Sequence, residues 1–373
     1  MQKKLPAAVL IAVFLVLICL PVPLWAFLGK GSSLETEKLE NRKLAEKPAF
    51  LMDKIDSYPS DWEDFFKDHL PFRSLLIESY ATLTRALFDR DINGNVIFGK
   101  DGWLFYSTKK DGNCVASYRG EDLFTQTELR QIAVDLRKTR DNLKKKGIEF
   151  VLLILPNKER MYSEYMPDRF GEPAEEYAAL QLVQFLQAHT DLTVVYPYEE
   201  LMAAKAEYPD IPLYYKTDTH WNRIGSYIGT RAAAAAMGKE LPSLSDVTVT
   251  QDPESYEGDL RRMAYLINSI PMDTAYNIEG LGLPAFTWTT DETGLVSYGV
   301  RSGSEGDVLF YKHDSYMENT MDYLYPLFGR TYGTFHQAYD QKMVDEARPD
   351  IFLLEIVERY LHRELLNGPV YGR

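Results

Sequence analysis

A few short runs leave this chain little choice of fold. Phe150–Leu155 is continuously apolar, Val308–Tyr311 reads the same way, and Ile351–Val357, introduced by Pro349-Asp350, is the last strand. A strand that is apolar at successive positions, rather than at every second one, must be covered on both faces. Helical stretches separate these runs. Thr125 or Thr127 caps a helix with Leu129, Ile132, Leu136 and Leu143 on one face, closing at Gly147. Further helices are expected from about Pro173 to His189, from Asn222 to Met237 before Gly238, and over Met317–Leu324. Thr193–Tyr196 is a short strand, and Trp103–Tyr106, after the Asp101-Gly102 turn, is expected to open the domain. This rhythm predicts an α/β fold, a doubly wound and mostly parallel sheet with flanking helices. The turn-rich, β-leaning stretch 241–307 breaks the rhythm and reads as an insertion flanking the site.

The ends of the chain set its organisation. Lys3 and Lys4 precede an uncharged run from Leu5 to Gly29, long enough for a bilayer. Residues 1–30 read as an uncleaved signal anchor, a transmembrane helix, with a cleaved signal peptide as the alternative. The body then works outside the cytoplasm, anchored in the cell membrane. Residues 31–95 form a charged, helical segment, with Trp62, Phe65, Phe66 and His69 at helical spacing, and 96–373 form the main domain. A net charge of −14 argues against nucleic acid as a partner. Cys19 falls in the apolar run, so Cys114 has no obvious partner, and neither a disulfide framework nor a thiolate metal site is implied.

Chemistry concentrates where the strands end, because ligands of such sheets bind beyond the carboxyl ends of the strands. Asp218-Thr219-His220 precedes a helix; the carboxylate can accept the Nδ1 hydrogen of the imidazole and hold its tautomer for base catalysis. At the mouth of a helix, the macrodipole is expected to favour the neutral imidazole. The plainer reading makes Asp218 or Thr219 the helix cap. Ser315 follows a buried strand and opens a helix, the placement of a nucleophilic serine, with backbone N–H groups able to face an oxyanion; there too a simple N-cap, at Asp314 or Ser315, is the plainer reading. Ser302-Gly303-Ser304 reads as a solvated loop and Cys114 as inert, while His313 can compete as base or line the pocket. Asp218, His220 and Asp314 could ligate a divalent cation, but a fourth ligand at a diagnostic spacing is missing from the sequence, so no metal and no cofactor are expected.

Eight segments in order give a resemblance. Glu40-Asn41-Arg42, Asp68-His69-Leu70-Pro71-Phe72-Arg73, Gly99–Phe105 and Pro156-Asn157-Lys158 are followed by Asp218-Thr219-His220-Trp221, Gly258-Asp259-Leu260, Asp314-Ser315 and Glu355–Arg359. Together they resemble the SGNH-hydrolase-like proteins of alginate and exopolysaccharide O-acetylation, the AlgX/AlgJ type, and their DHHW relatives. The resemblance implies an SGNH-like domain and a triad falling on Asp218, His220 and Ser315. It implies a polysaccharide acceptor and a membrane-bound O-acyltransferase as acetyl donor partner. Asn157, Lys158, Trp221, His313, Asp314, Tyr316 and Arg359 become candidates for substrate or oxyanion contacts. The family pattern at the nucleophile is Gly-Asp-Ser-Phe, whereas this chain has His313-Asp314-Ser315-Tyr316. Esterase chemistry on the same triad, and a polysaccharide-binding protein without catalysis, are the alternatives.

Overall fold

Strand Ile351–Val357 sits inside the sheet because all seven of its residues, Glu355 included, are buried. A computed structural model describes residues 7–20, 23, 37, 43–52, 55–70, 72–303 and 305–372. Two compact units divide the chain, one of residues 1–93 with 261–271 and one of 94–260 with 272–373.

The larger unit holds the strands. A ribbon of β1 (Val96–Phe98) and β2 (Leu104–Tyr106) is antiparallel and separate from the main sheet. Leu104–Tyr106 is thus a strand, but of this ribbon rather than of the central sheet. Asp101 and Gly102, at φ 52° and 81°, turn the chain back on β1 instead. The seven-stranded sheet contains β3 (Glu149–Leu155), β4 (Thr193–Val195), β7 (Phe286–Thr290), β8 (Val296–Arg301), β9 (Val308–His313), β10 (Arg330–Phe335) and β11 (Ile351–Val357). Its order is β4-β3-β11-β9-β10-β8-β7. The first five are parallel, and β8 pairs antiparallel with β10 and β7 antiparallel with β8. The fold is thus α/β with a mostly parallel sheet. Two of its strands come from the stretch read as an insertion, whose remaining hairpin, β5 (Thr248–Tyr256) with β6 (Asp273–Glu279), stands apart. Thr and Gly in Arg330–Phe335 hide β10 from an apolar-run reading, yet it pairs on both sides.

Helices cover the sheet. Gln126–Lys144 starts at a capping box in which Thr125 Oγ1 accepts from Glu128 N–H while Glu128 accepts from Thr125 N–H. Ala178–His189 begins five residues later than its sequence suggests. Residues before it are held as a loop, Ala174 donating its N–H to the Tyr118 carbonyl and accepting from the Arg160 guanidinium. Arg223–Ala236 is capped by Asn222, whose side chain accepts from Ile224 and Gly225 N–H. Neither Asp218 nor Thr219 is the cap.

In the smaller unit, Tyr58–Asp68 buries Phe65 and Asp68, and His69 caps its end. Arg73–Phe88 is tied to the 261–271 excursion by Glu78, which accepts from Asn268 N–H, Asn268 Nδ2 and Ser269 Oγ. Ala7–Cys19 is an apolar helix, and among the described residues no helix is long and apolar enough to cross a membrane. Of the segment read as an anchor, residues 1–6, 21–22 and 24–30 lie outside the described ones, as do Glu40-Asn41-Arg42, Pro71 and Ser304.

Candidate active site

The loop carrying Asp218 and His220 is closed like a hairpin. Tyr214 bridges Trp221, Tyr215 N–H donates to the His220 carbonyl, and Asn222 N–H donates to the Leu213 carbonyl. Within it the Asp218 carboxylate is almost fully used. Oδ1 accepts from His220 N–H at 2.9 Å and from His220 Nδ1 at 2.7 Å, and Oδ2 accepts from Asp259 N–H at 2.8 Å. This partner assigns the Nδ1 proton, which leaves Nε2 bare and 2.7 Å from Ser315 Oγ. The two ends of that contact are 95 residues apart in sequence. His220 and Ser315 are both only partly buried, so a substrate can reach them.

Ser315 begins a five-residue 3₁₀ turn directly after β9, and Asp314 caps it. One Asp314 oxygen accepts from Tyr316 N–H and the other from Val357 N–H, which ties the nucleophile's turn to the end of β11. Asp314 is thereby a brace. It is not grouped with Asp218 and His220 as a metal ligand would be. The third ligand-type side chain in that group is Asp259, with ligand atoms within 4.8 Å of those of Asp218 and His220.

Asp259 is the main residue the sequence left in the background, visible only within Gly258-Asp259-Leu260. Its carboxylate accepts from Thr219 N–H at 2.8 Å and Thr219 Oγ1 at 2.7 Å, and Thr219 Oγ1 stands 3.1 Å from His220 Nδ1. Asp273 does the same for the preceding residues, accepting from Lys216 N–H, Thr217 N–H and Thr217 Oγ1. Gly258 is needed because a Cβ there would lie 2.1 Å from the Thr217 carbonyl oxygen.

Electrostatics follow from this crowding. Burial raises the Asp218 carboxyl, but the His220 imidazole and the Asp259 and His220 N–H groups overcome it and bring the pKa to about 2. Burial and the neighbouring Asp218 charge push Asp259 up to about 6. For His220, burial opposes the charged ring, yet the Asp218 and Asp259 carboxylates outweigh it and the net shift is upward. The dipole argument for a lowered value does not hold, because His220 precedes the N-cap by two residues and two carboxylates stand nearer.

The remaining candidates mostly face inward. Lys158 is a strut: its ammonium donates to the carbonyls of Leu104 (2.6 Å), Lys216 (2.9 Å) and Asp218 (2.8 Å), and burial lowers its pKa to about 8. It points at backbone, not at a substrate. Trp221 is buried, and its Nε1 donates to the Tyr316 carbonyl. Tyr316 is buried too, its hydroxyl bonded to the Thr219 carbonyl and its N–H spent on Asp314, so that N–H does not serve an oxyanion. Arg359 packs its guanidinium over the rings of Tyr106, Tyr316 and Tyr360. Asn157 donates its N–H to Glu358, while its side-chain amide is buried without a hydrogen-bond partner. His313 lies inside the protein beside Tyr311 and Phe335, and burial lowers its pKa to about 3. It makes no contact with Ser315 that would let it act as base. Cys114 is buried and its thiol pKa raised, chiefly by that burial.

Residues 96–277 match the family described as "SGNH hydrolase-like domain, acetyltransferase AlgX". The probable alginate O-acetylase AlgJ of Pseudomonas syringae pv. tomato is 30% identical over 202 residues, covering 53% of this chain and 48% of that protein. The chain thus spans about half the length of such curated relatives. Two solved structures share its fold at 15% identity. Bacillus cereus PatB1 has a TM-score of 0.54 over 75% of this chain and 100% of that one. A DHHW family protein from Eubacterium siraeum has a TM-score of 0.51 over 74% of this chain and 99% of that one. Over residues 96–277 the chain thus matches the SGNH-like acetyltransferase family of AlgX, and it shares its fold with these solved structures.

Proposed function

We propose that this protein is an O-acetyltransferase that moves an acetyl group, through Ser315, onto a hydroxyl of a polysaccharide. The observation that carries the reading is the unbroken chain from Asp218 through His220 to Ser315, with 2.7 Å at each link. His220 Nε2 takes the Ser315 proton as Oγ attacks the acetyl carbonyl of the donor. The imidazolium, balanced by Asp218, returns that proton to the departing donor group and leaves an acetyl ester on Ser315. An acceptor hydroxyl then gives its proton to Nε2, attacks the ester and leaves acetylated, and Ser315 recovers its proton. The Ser315 N–H and the Asn157 amide are the groups proposed to meet the oxyanion. The body acts outside the cytoplasm, held to the membrane by residues 1–30. Its acetyl donor is supplied by a membrane-bound O-acyltransferase, and its acceptor is a cell-surface or secreted polysaccharide; alginate is the polymer named for the AlgJ relatives.

Incubating the full chain with a chromogenic acetyl ester and digesting it for mass spectrometry tests the reading. An acetyl group on Ser315 that oligosaccharide removes faster than water supports transfer. Removal by water alone marks an esterase, and an unlabelled Ser315 with oligosaccharide still bound marks a binding protein.

A further inference from the structure

The carboxyl edge of the sheet continues past Ser315, on the side of β9 away from β11. Strand register shows what lies there. His313 pairs with Phe335, Gly333 with Ser297, Ser297 with Thr290 and Gly299 with Trp288. Residues directly opposite one another share a face, and so do residues two apart on one strand. His313, Phe335, Ser297, Thr290 and Trp288 therefore lie on one face, at the end where β9 and β10 stop. Met317, Glu318 and Met321, from the segment that Ser315 opens, close over them to form a cavity of about 360 Å³. That volume falls within the roughly 300–1,000 Å³ of small-molecule sites.

Its lining is apolar below and polar at one point. Trp288 remains 42% exposed although it lines the cavity. His313 is only 1% exposed; its Nδ1–H donates to the Asp314 carbonyl, so Nε2 is a bare acceptor, and it has no hydrogen-bond partner. Gly333 keeps the floor open, since a Cβ there would stand 2.3 Å from both Ser297 Oγ and the Tyr325 hydroxyl and 3.3 Å from His313 Nε2. The rim offers the Thr290 hydroxyl and the exposed Glu318 carboxylate.

A pyranose ring suits such a wall, with C–H groups for the indole face and hydroxyls for the acceptors. Charge narrows the choice. Neither lysine nor arginine lines the cavity, Glu318 is its one carboxylate, and His313 is neutral. A uronate carboxylate there finds like charge and no cation, within a chain of net charge −14.

We propose that this cavity is the acceptor subsite and that it takes an uncharged glycosyl residue in preference to a uronate. The assignment as an acceptor subsite rests on the transfer reading above; the binding itself does not. His313, lining the cavity with Nε2 unbonded, is a recognition group of this chain, and β7 and β8 are what the 241–307 stretch contributes to recognition.

The test titrates the full chain with cellohexaose, mannohexaose and a mannuronate hexamer. Tryptophan fluorescence is followed in wild type and in Trp288→Ala, so that the difference isolates Trp288. At least one neutral hexaose is expected to bind ten-fold or more tighter than the uronate hexamer. Trp288→Ala should weaken the neutral ligand at least ten-fold, and should raise its KM in transfer more than it lowers kcat. Glu318→Gln should narrow the neutral-over-uronate preference three-fold or more. A uronate that binds as tightly as both neutral hexaoses overturns the proposal, as does a Trp288 signal that neither neutral hexaose moves. If Ser315 never becomes acetylated while Trp288 still reports a neutral hexaose, the transfer reading falls and the sugar site stands. If Ser315 becomes acetylated while no neutral hexaose binds, transfer stands and the sugar site falls.

Discussion

Replacing Asp259 with asparagine removes one of the two carboxylates behind His220 while nearly keeping its shape. The amide oxygen can still accept from Thr219 N–H, and the Thr219 hydroxyl can turn to accept from the amide nitrogen. What changes is charge. A carboxylate and an imidazolium within 4.8 Å of each other attract by at least about 3.5 kcal/mol at an effective dielectric of about 20. At about 1.4 kcal/mol per pKa unit, that corresponds to roughly 2.5 units before solvent screening. His220 is 14% exposed, and solvent reduces the effect, so a shift of about one unit is expected. Asp259, with a pKa of about 6, is largely ionised over the range where His220 titrates, so its charge counts there. The sign is fixed: losing the anion destabilises the imidazolium, and the free base persists to lower pH. The acid limb of kcat/KM for a chromogenic acetyl ester should move down by about one unit in Asp259→Asn, and the His220 imidazole ¹⁵N titration should follow it. An acid limb that stays put or moves up refutes the electrostatic role assigned to Asp259.

Ser315→Ala should abolish acetyl transfer with an almost unchanged unfolding midpoint, because Asp314 is the cap of its turn; wild-type turnover in this variant would mean that the nucleophile is another residue. Asp273→Ala strands the Lys216 and Thr217 N–H groups and the Thr217 hydroxyl, a loss of about 3 kcal/mol in denaturant unfolding, with faster amide exchange at both residues. Lys158→Met frees three carbonyls and should lower kcat at least ten-fold. Because the folded lysine's pKa is lowered to about 8, the folded state sheds its proton first, and wild-type stability should rise relative to the variant between pH 8 and 10.5. Gly258→Ala should cost most of the activity through the Thr217 clash; a fully active variant would show that the loop has slack.

What the sequence determined is what short-range physics controls. Glu149–Leu155, Val308–His313 and Ile351–Val357 announce a sheet buried on both faces, because strands so apolar have no other stable place. The positions of Asp218, His220 and Ser315 were legible because such a sheet presents chemistry where its strands end and because Asp-x-His suits a tight loop. Tertiary structure decided the rest. Asp259 and Asp273 lie about 40 and 56 residues from the backbone they hold, and a carboxylate cannot advertise a distant N–H. Asn222 won the cap because the Tyr214–Trp221 bridge fixed where the helix starts, and that placement left His220 to the fields of two carboxylates. Lys158 turned inward because three carbonyls converge on it from chain segments far apart in sequence. Phe286–Thr290, exposed along most of its length, and Val296–Arg301 became strands of the main sheet only because β10 offered β8 an edge to pair with and β8 in turn offered one to β7. Pattern reports burial; only the fold reports which distant groups meet.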